Sequence, residues 1–189
     1  YDKTFAQKHT VNALAGFHTE LYSYEYDDAY RQDFPSSDVT DMNGGSVVGM
    51  RNSGYTRELA MNSVFSRLKY NYRDKYLFEA NVRGDGSSRF APETRWGNFW
   101  SLGTSWRIDR ESFMASTANW LSALTLKMSY GAQGNDNLGT YYASKGLYAI
   151  VSNLGENALV SDRMATPNLK WETNYTLNIG IDYGLLNQR

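Results

Sequence analysis

Two histidines, His9 and His18, are the only imidazoles among 189 residues, so general-base or metal chemistry would have to start from them. They stand nine residues apart on a segment that alternates apolar and polar residues. That spacing sends them to opposite faces of a strand, where they cannot chelate one ion. His18 shares its parity with Glu20 and reads as a polar-face contact rather than a base, and no motif points a serine at it for a Ser–His dyad. The chain has no cysteine, which removes disulfide frameworks, zinc fingers, thiol catalysis and Fe–S clusters. Asp85-Gly86-Ser87-Ser88-Arg89 looks superficially like a phosphate loop, but no GKS or GKT follows and its context is strand-to-strand. The expected role is a structural turn with Asp85 paired to Arg89, direct solute contact being the lesser expectation. Asn135-Asp136-Asn137 offers oxygens for calcium, yet no acidic residue closes an EF-hand spacing, and a plain turn is expected. No enzyme chemistry, no cofactor and no metal site is anticipated.

The elements that hold these residues are strands. A net charge of −1 with 19 basic and 20 acidic residues argues against a nucleic-acid binder, which needs clustered Lys and Arg. Aromatics make up 15% of the chain, including 15 Tyr and 5 Trp, although the mean hydropathy is −0.58. The rings are interleaved with Asn, Ser, Lys and Glu, and no apolar run approaches the roughly 18–20 residues of a membrane helix. The length fits one domain. The chain opens on Tyr1 and shows no signal peptide, which suggests a trimmed or partial chain.

Period-two alternation recurs in six places, at residues 11–21, 64–72, 76–83, 100–108, 124–133 and 171–183. The charges inside them (Glu20, Arg67, Lys69, Glu79, Arg83, Arg107, Lys127, Glu172 and Asp182) all fall on the polar parity. Connectors 22–57, 85–97 and 134–170 are rich in Gly, Asn, Asp and Ser, whereas 73–75 is tight. Membrane β-barrels show this alternation of long extracellular loops and short periplasmic turns. Connector 109–123 is longer than a turn, and a short helix entered from Asp109 is expected there. On this reading the chain starts and ends on the periplasmic side.

Ring placement points the same way. Tyr70, Tyr72, Tyr76, Trp106, Trp120 and Tyr183 lie near one set of strand ends, and Tyr22, Trp100, Tyr130 and Trp171 near the other, as in the two aromatic girdles of a barrel. The apolar parity would meet lipid through Phe17, Tyr70, Tyr72, Tyr76, Phe78, Trp100, Trp106, Tyr130, Trp171, Tyr175 and Tyr183. The polar parity would face the lumen through His18, Glu20, Arg67, Lys69, Glu79, Arg83, Arg107, Lys127, Glu172 and Asp182, with ion pairs lining the barrel or gripping a plug. Tyr22, Tyr24, Tyr26 and Tyr30, with Glu25, Asp27, Asp28 and Asp33, sit in the long 22–57 connector. There they could bind sugars or peptides, meet a partner protein, or simply keep the loop soluble. The alternative fold is a soluble β-sandwich, a carbohydrate-binding or adhesion module, which also alternates but favours Val, Ile and Leu on its inner face.

Ordered motifs narrow the choice. The run from Phe65-Ser66-Arg67-Leu68-Lys69-Tyr70 through Tyr76-Leu77-Phe78-Glu79-Ala80 resembles the SusC/RagA family of TonB-linked outer-membrane proteins. Asp85-Gly86-Ser87-Ser88-Arg89-Phe90 matches that family's most recognisable loop. Arg95-Trp96-Gly97, Trp106-Arg107-Ile108, Glu111-Ser112-Phe113-Met114, Ser129-Tyr130-Gly131, Pro167-Asn168-Leu169-Lys170-Trp171-Glu172 and Asn178-Ile179-Gly180-Ile181-Asp182-Tyr183-Gly184 follow in order. The resemblance covers residues 64–189, more weakly the first strand. Gly84 departs from it where a second Arg is usual, and Trp100 where Pro is common; both bear on loop shape.

The resemblance implies an all-β fold: an antiparallel transmembrane β-barrel segment of about six strands with long extracellular loops, in a barrel of about 22 strands with a plugged lumen. Residues 1–189 would all belong to that barrel domain, with the plug absent and Arg189 in a turn. Six strands cannot close, and lipid cannot satisfy open edges. The resemblance further implies a bacterial outer-membrane transporter importing glycan or peptide oligomers, capped by a SusD-like surface lipoprotein. TonB would act through an N-terminal region outside this sequence.

Overall fold

The computed structural model describes residues 1–186. Its strands are β1 (Asp2–Phe5), β2 (His9–Gln32), β3 (Ser46–Tyr72), β4 (Tyr76–Ser87), β5 (Trp96–Arg107), β6 (Leu121–Asn135), β7 (Leu147–Asn153), β8 (Glu156–Arg163) and β9 (Glu172–Leu185). Seven form one sheet in the order β1-β2-β3-β4-β5-β6-β9, and β7-β8 is a separate two-stranded hairpin. Every neighbouring pair is antiparallel, so the fold is the all-β, sequentially paired wall that alternation implies.

The register turns parity into two faces. Four cross-strand rows carry the apolar one: Ser66-Val82-Trp100-Ala132-Tyr175, Leu68-Ala80-Leu102-Tyr130-Leu177, Tyr70-Phe78-Thr104-Met128-Ile179, and Tyr72-Tyr76-Trp106-Leu126-Ile181. The two middle rows are mainly aliphatic and the outer two hold most of the rings. From Tyr175 to Tyr183 is eight residues, about 27 Å of strand, which at a barrel's usual tilt rises about 20 Å, most of the height of its apolar band. This face has no second sheet against it among the described residues: Phe17 is 81% exposed and Ile179 67%. A soluble sandwich would cover it.

Two tight turns are built alike. In β1–β2, Ala6 and Gln7 have φ of 48° and 55°, and in β3–β4, Arg73 and Asp74 have φ of 53° and 52°. Each closes with one backbone bond, Lys8 N–H to Phe5 O (3.0 Å) and Lys75 N–H to Tyr72 O (3.0 Å). Two consecutive left-handed residues are the type I′ geometry whose twist suits a hairpin. Asn71 Nδ2 donates to Asp74 Oδ1 (2.6 Å) and Arg110 reaches Asp74 at 3.2 Å; the Asn71 hydrogen bond foremost holds the Asp74 carboxyl below its usual range.

Several expectations are corrected. The expected 22–57 loop shrinks to residues 33–45: β2 continues to Gln32 and β3 starts at Ser46, in unbroken register from His9↔Tyr72 to Tyr30↔Arg51. The tyrosines at 22, 24, 26 and 30 alternate with Ser23, Glu25, Asp27 and Ala29, but what holds both runs extended is the pairing of residues 22–30 with residues 51–59 across the sheet. β1 adds a short strand, so the chain enters on a run directed toward the tight turns. Residues 109–123 hold two 3-10 turns, Ile108–Arg110 and Ser112–Thr117, instead of one helix. Asp109 does not cap; its Oδ1 accepts from Leu124 N–H (3.2 Å). Residues 134–170 contain the β7–β8 hairpin. Arg189 lies outside the described residues.

Candidate functional site

The packed interior of the molecule lies above the sheet, at its long-loop end. Phe90 is 1% and Ser87 0% exposed, which places the Asp85–Phe90 motif at the centre of a knot of loops. Ser87 Oγ donates to Asp136 Oδ2 (2.9 Å). Arg89 Nη1 donates to Asp136 O (2.7 Å) and stands 3.8 Å from Asp136 Oδ1. Ser88 bonds Ala60 twice: its Oγ accepts from Ala60 N–H (3.0 Å) and its N–H donates to Ala60 O (2.9 Å). One six-residue motif thereby ties β3, the β4–β5 loop and the segment after β6 together.

The expected Asp85–Arg89 pair does not form. Asp85 and Arg83 are two apart on β4 and share a face, so Arg83 Nε donates to Asp85 Oδ1 (2.6 Å), while Arg89 turns to Asp136. Trp171 also departs from expectation. It does not lie open among the apolar-face rings but packs on Phe90 and Phe99 (centroids 5.3 Å each), with Nε1–H donating to Arg95 O (2.8 Å). It precedes β9, so strand parity does not bind it. Gly97 makes room: a Cβ there would sit 2.4 Å from Phe99 Cζ and 2.9 Å from Trp171 Cγ.

The charged residues of the strand cores share the other face. Lys69 pairs with Glu79 at 3.2 Å and Lys127 with Asp182, both across strands. Arg107 instead meets Asp109 beyond its own strand (3.7 Å), and Glu172 Oε2 accepts from Asn135 Nδ2 (2.9 Å). Arg67, His18 and Glu20 form no ion pair among the described residues. Ser63 stands across from His18, but its Oγ accepts from Arg83 Nη2 (3.0 Å) and bonds no imidazole. Asn135 and Asn137 brace their own turn through Asn137 N–H to Asn135 Oδ1 (3.0 Å) and Gly139 N–H to Asn137 Oδ1 (3.4 Å). No group of three His, Asp or Glu side chains converges among the described residues.

Rings gather at both ends of the apolar face. Trp100, Tyr130 and Tyr175 meet at the loop end (5.6 and 6.4 Å). At the turn end, Tyr72, Tyr76 and Trp106 stack in sequence (6.3 and 6.4 Å), with Tyr70 Oη bonded to His9 Nδ1 (2.8 Å). Glu111 closes that row, accepting from Tyr76 Oη–H (2.6 Å), Lys75 Nζ (2.9 Å) and Trp106 Nε1–H (3.1 Å). These donors, Tyr76 first, pull its carboxyl down to about 2. Glu111, Asp136 and Arg95 all stand in segments that the sequence singles out, but their roles as rim acceptor, partner of the Asp85–Phe90 motif and carbonyl acceptor for Trp171 are set by long-range contacts.

The sequence model of the family described as TonB dependent receptor-like, β-barrel, matches residues 1–189. A TonB-dependent receptor of Formosa agariphila is 34% identical over 195 residues, covering 100% of this chain and 18% of that protein. The TonB-dependent receptor SusC of Bacteroides thetaiotaomicron is 36% identical over 144 residues, 72% of this chain and 14% of SusC. A solved structure of the RagAB peptide transporter superposes over 100% of this chain and 21% of its own, with a TM-score of 0.91 at 29% identity. The chain thus spans about a fifth of the relatives it matches.

Proposed function

This chain belongs to the TonB-dependent receptor β-barrel family, and from that premise we propose that it forms wall and outer rim of a bacterial outer-membrane importer. The apolar face meets lipid and the charged face lines the lumen. The observation that carries this is the row structure: aliphatic residues between two bands of rings on one face, and every strand-core charge on the other. That is the profile of a bilayer-spanning barrel wall. The Asp85–Phe90 knot holds the outer loops to the barrel rim and is structural. The imported solute is an oligomer, glycan or peptide, and a SusD-like surface lipoprotein covers the loop end. TonB acts on a plug outside this segment.

This segment has no cysteine, so in a full-length protein whose cysteines elsewhere are replaced, cysteine scanning on β9 tests the two faces directly. Spin labels at Leu177, Ile179 and Ile181 should be quenched by a lipid-dissolved relaxant, and labels at Thr176, Asn178 and Gly180 by a water-soluble one. The reverse pattern, or no alternation, refutes the wall reading.

A further inference from the structure

The upper part of β2–β3 runs beyond its pairing with β4, which ends at Met61↔Ser87, and its two faces differ sharply. On the parity of His18 and Arg67 lie Tyr22, Tyr24, Tyr26 and Tyr30, facing Tyr55, Arg57 and Arg51 across the pair. Within this segment the five rings are each 39–42% exposed. Tyr55 contacts Tyr26 at 5.2 Å and Tyr24 at 6.1 Å. Successive rings on one strand face recur at about 6.8 Å. The opposite parity carries Glu25, Asp27 and Glu58. Acids are therefore concentrated behind the ladder and two of the three guanidiniums on it; the exceptions are Asp28 on the ring face and Arg31 behind, where it donates to Ser46 O (3.3 Å).

The two arginines are poised and uncommitted. Arg51 lies over the Tyr30 ring at 4.7 Å and Arg57 over Tyr55 at 4.4 Å. Neither forms an ion pair among the described residues. A guanidinium stacked on a ring is oriented with its N–H edge outward, which suits a carboxylate or sulfate. The foot of the ladder joins the rim knot: Tyr22 stacks on Tyr141 (6.1 Å, 4°), and Arg89 lies over the same Tyr141 ring (5.4 Å). Below it the same parity continues along the charged face.

We propose that this tyrosine–arginine ladder binds an anionic oligosaccharide, its sugar faces resting on the rings and its carboxylate or sulfate groups on Arg51 and Arg57, before passage toward the lumen. This rests on the importer reading above. A glycan fits better than a peptide because the binding groups are side chains on a sheet face; an extended peptide would use the main chain of a strand edge.

The test is binding of end-labelled oligomers to the full-length transporter in detergent: oligogalacturonate against its methyl ester, dextran sulfate against dextran, and oligoglutamate. At least one acidic glycan should bind about tenfold tighter than its neutral partner, the effect of one charge-assisted bond. R51Q/R57Q should erase that preference, and Y24A/Y26A should weaken acidic and neutral forms alike. Heat-modifiable gel mobility reports folding of each variant, and R51K/R57K, which keeps charge but loses the fork, should show a reduced preference if the glutamine variant does not fold. Equal binding of acidic and neutral forms, a preference that survives R51Q/R57Q, stronger binding of oligoglutamate, or no binding at all overturns the inference. Because spin-label quenching on β9 is read on the same protein, normal quenching without acidic preference defeats the ladder and leaves the wall standing.

Discussion

Glu111 shows how one side chain fixes a rim. Its side chain is 13% exposed and takes three donors from two strand ends, coupling the β3–β4 turn to the β5–β6 connection. Because the folded carboxyl sits at about 2, below the roughly 4.3 of a free glutamate, its contribution is whole above the free value. It is lost as pH falls through the window between them. Amide exchange at residues 108–120 should therefore accelerate, beyond its intrinsic pH dependence, as pH drops from about 5 to about 3. Glu111→Gln should exchange fast throughout and show no such step. Identical corrected profiles for the two proteins would mean that the carboxylate holds nothing.

At the scale of elements, the tight turns carry the sharpest local conflict. Arg73 occupies a left-handed φ of 53° that asparagine tolerates better than arginine, and its N–H donates to Lys8 O (2.7 Å). Arg73→Asn should stabilise the folded barrel, by less than the roughly 1–2 kcal/mol that the left-handed region costs an ordinary L-residue, because it also loses the stacking of Arg73 on Tyr72 (5.2 Å). Arg73→Pro, which can neither adopt that φ nor donate, should cost about 3 kcal/mol or more. Urea titration of the full-length protein in lipid vesicles reads both, and a proline variant as stable as the parent would contradict the turn geometry. The six strands inside the apolar band were legible in the sequence because each has one face that must be apolar and one that may be charged, so parity shows. The upper reaches of β2 and β3 were not. Both of their faces are polar or amphipathic, and what makes 46–57 a strand is its pairing with 24–30, a non-local cause. The loop knot was half legible: its motif was visible, but its partner Asp136 lies 49 residues from Ser87, and no spacing rule reaches that far. Trp171 was misplaced for the complementary reason, since parity was extended one residue past the strand that enforces it.

At the scale of the whole segment, the sheet of the described residues has seven strands, and its apolar face is uncovered. A soluble domain of this size buries such a face against another layer; this one leaves Ile179, Ile181 and Val64 more than 60% exposed and concentrates its buried residues in the loop knot. The solvent expected on that face is lipid, and depth follows from the rows, with Ile179 midway between the two bands of rings. Ile179→Arg should cost about 2–4 kcal/mol at that depth. Asn178→Arg, one residue away and facing Ser129 across the polar side, should be nearly neutral. The measurement is assembly of the full-length protein in the outer membrane, read as heat-modifiable gel mobility: the first variant should fail to assemble or assemble poorly, the second should match the parent. Equal assembly of both would place water on the apolar face, and with it would fall the reading of these strands as a membrane wall.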